Sequence, residues 1–133
     1  MSSKILAFSN HDQNFYDINE LTYNHNKHYF SRFDIEYQVY NNDDIVLEHG
    51  GDHVKGYYTK WMILLKLLEE RSDIDYFFAM DTDIAICDFG FDMRHFTKMS
   101  NKDILWCTVE NCSENTYWNV NAGSTIVKNS DAS

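Results

Sequence analysis

The sequence predicts an α/β fold built on a Rossmann-like, mainly parallel sheet, and three observations carry that expectation. Apolar runs of strand length alternate along the chain with stretches whose apolar residues recur at helical spacing. One of those runs, Tyr76-Phe77-Phe78-Ala79-Met80, is apolar without interruption, the pattern of a strand buried on both faces in a parallel sheet. The chain of 133 residues is 44% hydrophobic, with nine Phe, nine Tyr and three Trp, which is enough to build a core. There is no Gly/Ser-rich linker, low-complexity tract or internal repeat, so residues 1–133 read as one domain.

Taken in order, Ile5–Phe8 is a short buried strand, and Ser9-Asn10 are polar residues suited to a strand-to-helix turn. From Phe15 to Phe33 an amphipathic helix is expected, with Phe15, Ile18, Leu21, Tyr29 and Phe33 on its apolar face and His25 bridging the long step. Ile35, Tyr37 and Val39 alternate with polar residues, the period of a strand. Asn41 to Asp52 is polar, contains Gly50-Gly51 and reads as a loop. A second helix follows with Tyr57, Trp61, Leu64, Leu65 and Leu68 on one face and Lys60, Lys66, Glu69 and Glu70 largely off it. After the Tyr76–Met80 strand, Ile104–Val109 and Ser124–Val127 are two further strand candidates.

Composition excludes several functions. Eleven Lys and Arg stand against 21 Asp and Glu, a formal net charge of −10, so the chain lacks the basic balance of a nucleic-acid binder. An acidic protein that handles an anionic ligand needs a bound cation or a few local basic groups. No apolar run approaches the ~18 residues of a membrane span, and Met1-Ser2-Ser3-Lys4 leads straight into a strand instead of a signal peptide, which points to the cytoplasm. Cys87, Cys107 and Cys112 form no CxxC pair and read as free thiols of a reducing compartment. His49-Gly50-Gly51-Asp52-His53 reads as a solvated loop and not a metal cluster, because two glycines interrupt it. Asn111-Cys112-Ser113 fits a glycosylation sequon that would be inert without secretion. Trp118 is suited equally to core packing and to stacking on a sugar.

The sharpest chemical feature is Asp81-Thr82-Asp83, directly after the buried strand. Ligands of open α/β sheets bind outside the carboxyl ends of strands. Two carboxylates one residue apart there can turn toward one hard cation, and Mn²⁺ or Mg²⁺ bound by carboxylates keeps open positions for phosphate oxygens. A polar turn closing a strand is the plainer reading of the same residues.

Three blocks then carry a family resemblance: Lys60-Trp61-Met62-Ile63-Leu64-Leu65, the stretch Asp75–Ile86 that contains Asp81-Thr82-Asp83, and Asn121-Ala122-Gly123-Ser124-Thr125-Ile126-Val127-Lys128-Asn129-Ser130. In this order they resemble the galactosyl/mannosyltransferase family of α-glycosyltransferases, which have the GT-A fold, and Asn24–Tyr37 resembles that family's early helix and turn. The glycogenin-like family shares the second and third blocks. The resemblance implies a nucleotide-sugar-binding domain in which Asp81 and Asp83 hold Mn²⁺ or Mg²⁺, with Asp81 also near the ribose. It implies that Lys60 binds donor and stabilises the departing diphosphate, that Asn121 contacts the donor sugar, and that Gly123 lets backbone approach it. Ser9 and Asn10 fall where nucleotide contacts arise in this fold. The implied activity is a retaining, metal-dependent transfer of a hexose from UDP-hexose or GDP-mannose to a glycan or other acceptor.

The departures matter as well. Family members continue into an acceptor-binding half that supplies a late histidine as third metal ligand, whereas none of the six histidines here follows Asn121. The N-terminal membrane anchor that ties eukaryotic members to the Golgi is also missing. The expectation is therefore a donor-binding domain incomplete at its C-terminus, with a partner chain completing the acceptor site, or a catalytically impaired nucleotide-sugar-binding fragment. A phosphatase of the haloacid dehalogenase type, with Asp81 as nucleophile and Asp83 as acid–base, fits less well. Its motif follows the first strand and wants Thr or Val where Ala85 stands.

Overall fold

The computed structural model describes residues 3–48, 56–108 and 120–130. In chain order the elements are β1 (Ile5–His11), α1 (Tyr16–Arg32), β2 (Glu36–Asn41), α2 (Asn42–Glu48), α3 (Gly56–Glu70), β3 (Tyr76–Asp81), α4 (Arg94–Met99), β4 (Ile104–Thr108) and β5 (Val120–Lys128). The five strands form one sheet in the order β2-β1-β3-β5-β4. β1 pairs in parallel with β2 and β3, while β5 pairs antiparallel with β3 and β4. Four strands thus point one way and β5 alone runs against them, which matches the expected α/β architecture with a mainly parallel sheet.

Side-chain alternation along the central strands divides the interior into two layers. Leu6 and Phe8 of β1 and Phe77 and Ala79 of β3 face α2 and α3, where they pack with Ile45, Ile63, Leu64 and Leu67. Ile5 and Ala7 of β1 and Met80 of β3 face α1, where they meet Tyr29, Phe30 and Ile35. Each such large side chain contributes roughly 1.5–3 kcal/mol on burial. α1 starts after Asp12, whose Oδ1 accepts from the amides of Asn14 and Phe15 at 2.9 and 3.2 Å and closes a 3-10 turn over Gln13–Phe15. It stops at Asp34, which has a φ of 53°. The amides of Asp34 and Ile35 reach back to the carbonyls of Ser31 and Phe30, and Ile35 packs in the same layer as Phe30.

Four local expectations are corrected. Ser9 and Asn10 lie inside β1, not in a turn, because parallel neighbours on both sides extend the strand to His11. The span predicted as a loop from Asn41 holds α2, whose start is fixed by Asn41 Oδ1 accepting from the Asp43 amide at 3.0 Å and whose Ile45 is buried. α1 exists where predicted, but its inner face carries Asn19, Asn26, Tyr29 and Phe30 while Phe15, Ile18 and Leu21 are exposed. α3 is likewise rotated by about one position: Thr59, Lys60, Ile63, Leu64 and Leu67 are buried and Leu65 is exposed. Spacing identified both helices, but the polar residues that each helix must offer to the strand ends set their rotation.

Candidate functional site

The chain leaves β1 toward β2 on one side and leaves β3 toward β5 and β4 on the other, so the carboxyl ends of β1 and β3 flank the switch point where such sheets bind ligands. The register places Ser9 beside Met80 and Asn10 beside Asp81 at that end. Asn10 and Asp81 lie on the face that α2 and α3 cover, each with its own partner there. Asn10 points toward α2, where its amide donates to Asn42 Oδ1 at 2.7 Å, and Asp81 points toward α3, where its carboxylate accepts from the Lys60 ammonium. The Lys60 side chain is 8% exposed and that of Asp81 51%. The ammonium lies 5.8 Å from the Trp61 ring centroid. A lysine this buried requires an anionic partner, and the strand end supplies one.

Beyond Asp81 the chain turns, with the Ile84 amide donating to the Asp81 carbonyl at 3.2 Å. Thr82, at the centre of the motif, is buried. Its hydroxyl donates to Asn19 Oδ1 at 3.2 Å and its carbonyl accepts from the Thr22 hydroxyl at 2.7 Å. Asp81 and Asp83 on either side are exposed. Pinning the middle residue inward therefore leaves both carboxylates facing solvent at the end of β3. Among the described residues no three His, Cys, Asp or Glu side chains gather, so a cation here would take two carboxylates from the chain and its other ligands from water or a diphosphate. Oxygen donors with open positions fit Mg²⁺ or Mn²⁺.

On the α1 side of the same strand ends lies an open cleft of about 530 Å³, lined by His11, Asn19, Tyr23, Tyr37, Gln38, Val39 and Tyr40. Tyr23 and Tyr37 stack at 5.8 Å. Ser9 is buried and reaches the cleft through the Tyr37 hydroxyl, 3.0 Å from its Oγ. Burial pushes the Tyr37 hydroxyl above its ordinary pKa against the opposing hydrogen bonds from Ser9 and Asn26, so it stays protonated at neutral pH. Asn19 lines this cleft and also holds Thr82, so cleft and acidic turn share a wall.

The third block lies on β5. Asn121 stands within the strand, opposite Cys107, and Gly123 is buried. The antiparallel register pairs Met80 with Ser124, so the next residues along the two strands are Asp81 and Gly123. Between β4 and β5 the register slips from Trp106–Thr125 to Cys107–Asn121, so the bulge falls at the stretch that includes Gly123. The structure thus groups Lys60, Asp81 and Asp83 at one strand end with Gly123 alongside, while Ser9 and Asn10 are engaged with Tyr37 and Asn42. Sequence reasoning missed Asn19, Thr22, Asn26 and the tyrosine cleft. Their signal was a polar stripe on α1 at helical spacing, hidden beneath the apolar one. His49–His53, the Asn111-Cys112-Ser113 sequon and Trp118 lie outside the described residues.

Neither a protein-family model nor a curated protein sequence matches the chain. The fold does have a solved counterpart: a glycosyltransferase involved in the glycosylation of the major capsid of PBCV-1 superposes with a TM-score of 0.62 at 16% sequence identity. The match covers 94% of this chain and 59% of that chain, so the likeness extends over part of the neighbour only. Among the described residues no helix is long and apolar enough to cross a membrane.

Proposed function

We propose that this chain is the donor-binding domain of a metal-dependent glycosyltransferase that moves a hexose from a nucleotide-sugar to a glycan or other acceptor. The observation that carries the reading is the acidic turn: Asp81 and Asp83 face solvent at the switch point of a glycosyltransferase-like sheet because Thr82 between them is anchored inward. Asp81 and Asp83 would hold Mn²⁺ or Mg²⁺. Once bound, such a cation would neutralise the diphosphate as the glycosidic bond to it breaks. The Lys60 ammonium, already at Asp81, adds positive charge on the α3 side of the same strand end. Tyr23 and Tyr37 line the cleft against which a nucleobase would pack, and Gly123 falls next to Asp81 on β5, the position the resemblance gives to close approach of the donor sugar. Retention of configuration, a UDP-hexose or GDP-mannose donor and the roles of Asn121, Ser9 and Asn10 follow from the galactosyl/mannosyltransferase resemblance. The acceptor wall would come from beyond these residues or from a partner chain.

A second reading, a nucleotide-sugar-binding chain that does not transfer, is favoured by the Lys60–Asp81 ion pair, in which an internal cation already occupies one of the two carboxylates. Calorimetric titration of UDP-galactose, UDP-glucose and GDP-mannose with and without Mn²⁺ tests both. Mn²⁺-dependent binding of one donor supports the site, and release of free sugar or transfer to an added acceptor separates the enzyme from the binder. No binding of any donor at millimolar concentration refutes both.

A further inference from the structure

Residues 82–93 belong to no helix or strand, so no backbone ladder holds the turn that presents Asp83. Beyond the one backbone bond that closes it, from the Ile84 amide to the Asp81 carbonyl, side chains of one face of α1 hold it. Thr22 donates to the Thr82 carbonyl at 2.7 Å, and Asn19 accepts from the Thr82 hydroxyl. The Asn26 amide pairs as a strand would, donating to the Ile84 carbonyl at 2.7 Å and accepting from the Ile86 amide at 3.0 Å. Tyr29 continues the row, donating to the Phe91 carbonyl at 2.7 Å and accepting from the Met93 amide at 3.0 Å. Asn19, Thr22, Asn26 and Tyr29 recur at steps of three and four, so the row is one helix face. Asn26 is 1% exposed and Asn19 8%. Asparagine is a poor helix former and costly to bury, so two of them on an inner face mark a specific polar partner, and residues 82–86 are that partner. Asn19 of the same row also lines the tyrosine cleft, whose Tyr37 is held by Ser9. One helix face therefore ties the cleft to the acidic turn.

We propose that this face of α1 is a splint that presets Asp81 and Asp83 for a divalent cation, with Thr22 and Asn26 as positioning residues. The inference rests on the metal reading given above. Loosening the splint leaves both carboxylates in place but no longer in one arrangement, and partners that orient metal ligands are worth about 10–100-fold in affinity.

Thr22→Val is the gentlest probe, because it keeps the side-chain volume and removes one hydroxyl, whose shortest bond is to the Thr82 carbonyl and whose longer ones are to the Ile18 and Asn19 carbonyls of its own helix. Thr22→Ser keeps that donor, and Asn26→Asp removes the donor to Ile84. Two measurements are made on each: amide hydrogen exchange of the metal-free chain at Ile84 and Ile86, and the Kd for UDP or GDP in the presence of Mn²⁺. Thr22→Val and Asn26→Asp should speed exchange at these amides and raise the Kd about tenfold or more, with the melting temperature of Thr22→Val unchanged and Thr22→Ser behaving as the parent. Unchanged exchange and unchanged Kd in Thr22→Val would overturn the splint, as would an equal loss in Thr22→Ser. If exchange quickens as expected but the parent chain binds neither nucleotide with Mn²⁺, the metal reading fails and with it the role given to the splint, while the exchange data still identify what holds the turn.

Discussion

Asp83→Ala should abolish Mn²⁺-dependent nucleotide binding and leave the fold intact. Asp83 is exposed, and its side chain makes no hydrogen bond or ion pair among the described residues, so its removal takes nothing from the core. Exposed substitutions of this kind change stability by about 0.5 kcal/mol or less in either direction, a shift of ~1–2 °C in melting temperature for a chain of this size. The effect on binding is much larger. A carboxylate in contact with a divalent cation at ~2.1 Å, in the near-aqueous dielectric that the exposure of Asp83 implies, is worth about 4 kcal/mol of Coulomb attraction. That corresponds to a loss of roughly 10²–10³-fold in affinity. Calorimetry with UDP and GDP at fixed Mn²⁺, together with thermal melts of parent and variant, measures both quantities. Equal Mn²⁺-dependent affinity in the two proteins would refute the assignment, and a melting temperature lowered by many degrees would show that Asp83 serves the turn and not a ligand.

Three further outcomes follow from the same geometry. Lys60→Met keeps the buried stem but removes the ammonium at Asp81, and should weaken diphosphate binding about tenfold with the far-ultraviolet spectrum unchanged; undiminished affinity would remove Lys60 from the donor site. At the opposite end of the sheet, Arg71 hydrogen-bonds Glu36 and Asp73 and holds both carboxyls below their ordinary range, with Lys4 assisting at Asp73. Because those folded-state values are depressed, the stabilisation is present above about pH 4–4.5 and is lost as the pH falls through the lower folded values. The melting-temperature deficit of Arg71→Met should therefore be largest near neutrality and shrink at pH 3; an equal deficit at both would contradict this. Phe77→Ala, at a fully buried position between β3 and α3, should cost about 3–5 kcal/mol in urea denaturation, and a loss below ~1 kcal/mol would mean the core is not packed as described.

The acidic turn shows how local and long-range information divide in this protein. Its place after a strand was legible because Tyr76–Met80 is uninterruptedly apolar, and such a run ends where the chain leaves the core. What orients the turn was not legible, since Thr82 is held by Asn19 and Thr22, about 60 residues earlier, and nothing in the intervening sequence marks the pairing. Ser9 illustrates the reverse case. Its position at the end of an apolar run marked it as a site residue, yet the parallel neighbours of β1 carry the strand onward and bury its hydroxyl against Tyr37.

Sequence by itself determined the fold class, the existence of α1 and α3, the five strands in outline and the residues with the chemistry to hold a cation. These depend on short-range periodicity and on residue type, both written along the chain. Only the tertiary structure decided which helix face turns inward, that Lys60 is buried against Asp81, that α2 forms where a loop was expected, and that Asp81 comes to lie beside Asn10 and next to Gly123. Those outcomes are set where strands from distant parts of the chain meet. There a buried amide, hydroxyl or ammonium is stable only if a partner from another element arrives to pair with it.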